Sequence, residues 1–144
     1  MSSWRLASPL RFKSLTRFIR RSESGPSTAI YLPVVQLFLR LIAPAGQERQ
    51  VTQALQTIML PARLSRGCSR VALCSEVEKP GVLCYLEEWD VEEEFIPQLR
   101  VERFSRLLEL MECASEPPFL EFRFVTARRG LDYIESARSG TSIE

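Results

Sequence analysis

The chemistry open to this chain is narrowed first by two absences: its 144 residues include no histidine and no asparagine. Without histidine there is no Ser-His-Asp or Cys-His relay, no histidine-ligated zinc or haem, and no imidazole base near neutral pH. Carboxylates remain as candidate bases, and the best placed is Glu87. It alternates with Tyr85 and Trp89 in the run Val82–Trp89, so the three side chains share one side of a strand. Facing a cavity, Glu87 would have its pKa raised and could serve as a base. At a rim it would simply pair with an arginine. Trp89 offers an apolar body and one N–H donor, suited to a pocket wall or to a supporting place at the sheet end. Gln98, directly after Pro97, can donate and accept hydrogen bonds; a substrate oxygen and bulk water suit it equally.

Cys68, Cys74, Cys84 and Cys113 have neither C-x-x-C spacing nor the density of a disulfide scaffold. They read as reduced thiols of a cytoplasmic protein, and four scattered cysteines without histidine make a poor metal set. Arg40, Arg70 and Arg123 could hold an anion, or pair with Glu76 and Glu121 across strands. The chain as a whole has 19 Lys+Arg against 18 Asp+Glu, a net charge of +1, so no global field marks it for nucleic acid. That balance conceals a division. Residues 1–33 hold six basic side chains against one acid, while residues 34–144 hold 13 against 17.

The positioning elements follow from periodicity. Residues 1–33 form a basic leader expected to be poorly ordered, with Phe12, Leu15, Phe18 and Ile19 at helical spacing. The apolar run from Ala29 to Ala43 is too short and too interrupted to cross a bilayer, and no stable membrane insertion is expected. Val34–Ile42 instead alternates as a strand, with Val35, Leu37, Leu39 and Leu41 on one face. Val51, Ala54, Leu55, Ile58, Met59 and Ala62 stripe one helix, which Pro61 should end or kink. Strands over Cys68–Val77 and Val82–Trp89 flank the turn Lys79-Pro80-Gly81. Asp90 with Glu93 resembles a capping box opening a second helical region. Its expected stripe is Phe95, Leu99, Phe104, Leu107, Leu108 and Met111, broken at Pro97. Phe119–Ala127 gives a fourth strand, and Gly130–Arg138 a short terminal helix within a tail over residues 128–144.

The order βαββαβ over residues 34–127 is the ferredoxin-like α+β arrangement, a four-stranded antiparallel sheet with both helices on one face. Apolar Phe38, Ala72 and Cys74 share the opposite face with Arg40, Arg70 and Arg123. A second copy packed there would bury both kinds, so a homodimer is expected.

Gly67-Cys68, the strand end Glu87-Glu88-Trp89, the helix start Val91-Glu92-Glu93-Glu94-Phe95 and the run Phe104-Ser105-Arg106-Leu107-Leu108 resemble the antibiotic biosynthesis monooxygenase (ABM) family. The resemblance implies a dimeric α+β barrel. It also implies reaction of O2 with a small aromatic or quinol-type substrate, often without metal or flavin, so no cofactor is expected. The protein's part would be a dry pocket, a hydrogen-bond donor for the developing oxyanion, and orientation. Many members carry a histidine where this chain has Gln98. The haem-degrading branch uses Asn, Trp and His where Leu39, Gln98 and Leu108 stand, which rejects haem degradation. Trp89 and Gln98 are the residues expected to define the pocket, with Leu37, Leu39, Phe95, Leu99 and Phe104 as walls and Glu87 as the candidate base. A noncatalytic dimeric module binding a hydrophobic ligand or a partner protein is the competing expectation.

Overall fold

The computed structural model describes residues 4–6 and 32–140. Most of the basic leader, including the stretch around Phe12 to Ile19, lies outside the described residues. Strands β1 (Trp4–Leu6), β2 (Val34–Ile42), β3 (Cys68–Glu76), β4 (Val82–Trp89) and β5 (Phe119–Val125) form one antiparallel sheet in the order β1-β3-β4-β2-β5. The last four are the ferredoxin-like strands in their expected order; β1 is an addition that pairs with Cys74–Glu76 at the end of β3.

The helices α1 (Glu48–Leu64), α2 (Glu92–Phe95) and α3 (Glu102–Glu112) cover one face of that sheet, and α4 (Leu131–Arg138) follows β5. The strand parity is met: Val35, Leu37, Leu39 and Leu41 are all buried and alternate with half-buried neighbours. They lie opposite Trp89, Glu87, Tyr85 and Leu83 of β4. Val51, Leu55, Ile58, Met59 and Ala62 of α1 close the core above them. At roughly 25 cal/mol per Å2 of apolar surface removed from water, such side chains supply most of the drive to fold.

Three local expectations are corrected. Pro61 neither ends α1 nor marks its boundary, since the helix runs on to Leu64. Pro61 is exposed, so the carbonyl that loses its helical partner can turn to water. Asp90 does not cap α2. The N-cap is Val91, without a side-chain cap hydrogen bond, and the Asp90 backbone N–H donates to the Gly67 carbonyl at 2.8 Å. Leu99 leaves the apolar stripe because Ile96–Arg100 winds as a 3-10 helix. At three residues per turn, a residue four after buried Phe95 no longer faces the core, and Leu99 is 37% exposed. Leu108 on α3 is likewise exposed, while Phe104 and Leu107 are buried.

Gly67 is the one position where backbone handedness matters to the site. Its φ is +83°, and an added Cβ would fall 1.6 Å from Glu94 Oε2. Glycine there lets α2 approach the start of β3. Ser69 then forms a bulge, because Cys68 pairs with Trp89 and Arg70 with Glu88.

Candidate functional site

The sheet parity that places Tyr85, Glu87 and Trp89 together also aims them into the interior. Glu87 is fully buried rather than at a rim. Its Oε1 accepts the Tyr85 hydroxyl at 2.5 Å and a short hydrogen bond from Arg103 Nη1, while Oε2 accepts the Trp89 indole N–H at 3.0 Å. Arg103 comes from α3 and is only 8% exposed. Its Nη2 donates to Gln98 Oε1 at 3.1 Å. Trp89, Glu87, Arg103 and Gln98 therefore form one continuous polar chain.

That arrangement assigns roles by simple counting. Three donors converge on the Glu87 carboxylate, so its charge is compensated where it stands, and its oxygens are already engaged. A base needs a free lone pair directed at substrate; Glu87 in this state serves as the anchor of Arg103. The same carboxylate acts on Tyr85. Burial above all, then the charge and hydrogen bond of Glu87, push the Tyr85 hydroxyl far above its ordinary pKa, keeping it a neutral donor. Because guanidinium can only donate, the Gln98 carbonyl must face Arg103. The Gln98 amide NH2 is thereby left pointing elsewhere, with no hydrogen bond to a described residue.

An aromatic surface adjoins this chain. Trp89 lies 5.9 Å from Phe95 by ring centroids, and Phe95 lies 5.9 Å from Phe122 on β5. Phe122 is 39% exposed, and Ile96 and Leu99 stand exposed beside the half-buried Gln98. Of the expected walls, Leu37, Leu39, Phe95 and Phe104 are packed into the core with Trp89; Leu99 alone is on the surface. A described opening lies elsewhere. It is a groove of about 380 Å3 between α1 and α3, bounded by Thr57, Ile58, Arg106, Leu110 and Cys113, and no expected site residue lines it.

Arg103 and Phe122 were not among the residues singled out by sequence. Arg103 had one available signal: it stands four residues before buried Leu107, on the apolar side of α3, where a cation must meet a buried anion. Arg40 and Arg123 behave as pairing groups. Arg40 Nε reaches across β4 to Glu76 at 3.0 Å, and Arg123 pairs with Glu121 on its own strand. Glu88 points to the opposite face from Glu87. It accepts from Gln36 at 2.8 Å and Arg128 at 2.7 Å. Burial works to raise its pKa, but those hydrogen bonds and the Arg128 and Arg70 charges outweigh it and leave the pKa lowered.

No family model and no curated protein matches the chain. Solved structures do. One is a provisionally named antibiotic biosynthesis monooxygenase of Bordetella bronchiseptica, with TM-score 0.52 and 20% identity over 63% of this chain and 95% of that one. A second so named, from Nitrosomonas europaea, has TM-score 0.59 and 8% identity over 67% and 94%. A conserved protein of Methanosarcina mazei has TM-score 0.59 and 17% identity over 66% and 95%. The chain has the ABM-like fold. The α+β, ferredoxin-like expectation drawn from the element order is met in these neighbours, at identities where fold is the shared property. Among the described residues no helix is long and apolar enough to cross a membrane.

Proposed function

We propose that this protein is a cytoplasmic, cofactor-independent monooxygenase acting with O2 on a small aromatic or quinol-type substrate. The observation that carries the reading is the Gln98 amide. Its carbonyl is held by buried Arg103, so its NH2 stands as an oriented donor on a half-buried residue whose chain neighbours Ile96 and Leu99 are exposed. A substrate enolate or phenolate would pack against exposed Ile96 and Leu99 and place its oxygen on the amide, with the Arg103 charge behind it. The substrate anion supplies the electrons for O2. Conversion of a ring CH2 to a carbonyl with release of water balances without an outside reductant. Base catalysis is left to solvent or to the substrate's own acidity, since Glu87 is engaged.

The test is oxygen uptake by the purified protein with a panel of quinols and anthrone-like compounds, without added metal. Uptake is expected, with Gln98→Leu lowering kcat by about 10²–10³, the loss typical of one oxyanion donor. No uptake across the panel overturns the reading. A noncatalytic binding module is the second reading, favoured by the saturation of Glu87 and the dense packing around Trp89. Thermal stabilisation by the same aromatics without oxygen uptake would establish it.

The homodimer belongs to this reading as well, with its surface relocated. Ala72, Val82, Cys84, Glu76 and Glu88 on the sheet face away from α1 and α3 are already buried in the protomer. Exposed apolar groups cluster instead at Phe119, Phe122 and Phe124 on edge strand β5 and at Leu131, Tyr133 and Ile134 on α4. Strand β5 is self-complementary: antiparallel pairing of two copies about Phe122 sets Glu121 opposite Arg123 of the partner subunit, and Leu120 opposite the partner's Phe124. Opposite charges and apolar pairs then coincide on both faces.

A further inference from the structure

We propose that Cys74 and Cys84 form a cross-strand dithiol that a small disulfide oxidant closes into a disulfide within the β3–β4 hairpin. The argument is one of register. The two residues are direct partners across the antiparallel ladder. Partners of this kind have Cα atoms about 4.5 or 5.5 Å apart, and both separations fall within the range of roughly 4.4–6.8 Å that a disulfide spans. Their side chains also emerge on one face, because the flanking pairs, Leu73 with Tyr85 and Ser75 with Leu83, point the other way. The other cysteines stand in different places: Cys68 lies opposite Trp89 on the inward side, and Cys113 lines the groove between α1 and α3.

The two thiols differ in access, which sets the order of events. Cys84 is buried and Cys74 half-buried, so an incoming oxidant meets Cys74 first. Burial raises the Cys74 thiol despite the nearby Arg70 charge. Cys84 is pushed up to about 12, by burial first and then by Glu76 and Cys74, against the opposing charge of Arg40. Both groups therefore rest as thiols, and closure at neutral pH is slow. With oxidised glutathione the steps balance. The Cys74 thiolate attacks the oxidant and releases one glutathione thiol. Cys84 then attacks the Cys74 sulfur and releases the second. Two protein thiols have become one disulfide and one glutathione disulfide has become two thiols.

The experiment incubates the full-length protein carrying Cys113→Ser with oxidised glutathione, blocks residual thiols under denaturing conditions, and maps peptides by mass spectrometry. The expected result is loss of two blockable thiols and a peptide linking Cys74 to Cys84. In Cys84→Ser the reaction should stall with one glutathione on Cys74, and in Cys74→Ser both the link and the adduct should be absent. Circular dichroism confirms that each variant keeps the fold. Three blockable thiols persisting in folded protein, while unfolded protein oxidises readily, would overturn the proposal, as would a link from either residue to Cys68.

Discussion

Glu87→Gln isolates the charge of the interior network with almost no change of shape. The carboxylate accepts three hydrogen bonds, from Tyr85, Trp89 and Arg103, and glutamine has one carbonyl oxygen with which to accept. If that oxygen keeps Tyr85 and Arg103, the new NH2 confronts the indole N–H of Trp89; if it turns to Trp89, two donors are opposed instead. Loss of one charge-assisted hydrogen bond costs about 1.5–3 kcal/mol and each stranded buried donor about 1–3 kcal/mol. Arg103, 7% exposed at its side chain, is also left without its counter-charge, and one-sided disruption of such a pair costs about 3–5 kcal/mol. These routes agree on a loss of about 3–5 kcal/mol, or a fall in Tm of about 10–25 °C for a domain of this size. Urea unfolding followed by fluorescence measures it, with Glu87→Gln, Arg103→Met and the double variant completing a cycle. The double variant should lose less than the sum of the singles by at least about 1 kcal/mol. A Glu87→Gln protein within about 0.5 kcal/mol of the parent, or strictly additive singles, would refute the network as described.

Gly67→Ala should cost about 1–2 kcal/mol in the same unfolding assay, because alanine resists the left-handed backbone and its Cβ would displace Glu94; an unchanged midpoint would mean that α2 does not constrain this turn. Glu88 has a folded-state pKa below the ordinary carboxylate value, so its contribution is present above the unfolded pKa and is lost as pH falls through the folded one. Glu88→Gln should therefore flatten the acid limb of a stability–pH profile while lowering stability near pH 7, and an unaltered acid limb would contradict the assignment. For the homodimer, sedimentation at micromolar concentration should show dissociation in Arg123→Glu and recovery in Glu121→Arg/Arg123→Glu, since the exchanged charges again face one another; a monomeric parent protein would remove the premise.

The legible part of this fold was the part written in short periods. Alternation in Val34–Ile42 and Val82–Trp89 gave two strands to the residue, and the spacing from Val51 to Ala62 gave the buried side of α1. Periodicity failed where the period itself changed, at the 3-10 segment that turns Leu99 outward. The Asp90 signal failed by a shift of one residue, since the helix starts at Glu92 and the Asp90 N–H is taken by Gly67. The site shows the same division. Strand parity groups Tyr85, Glu87 and Trp89, because that is local. The arrival of Arg103 depends on how α3 docks over the sheet, sixteen residues away in sequence, and local spacing carries no such information.

The two borders of the sheet differ in what they permit during polymerisation. On one side β1 covers Cys74–Glu76 and the bulge at Ser69 interrupts the remaining length of β3. On the other, β5 has no further strand among the described residues. Growth of a fibre by strand addition requires each new molecule to bring a fresh acceptor edge after its donor edge is used. The proposed union of two β5 strands would use both of these open edges and leave outward the border where β1 pairs with β3. In the proposed homodimer the three residues Trp4–Leu6 would leave only a short outer border on the β1 side, which would favour a closed pair over a growing fibre.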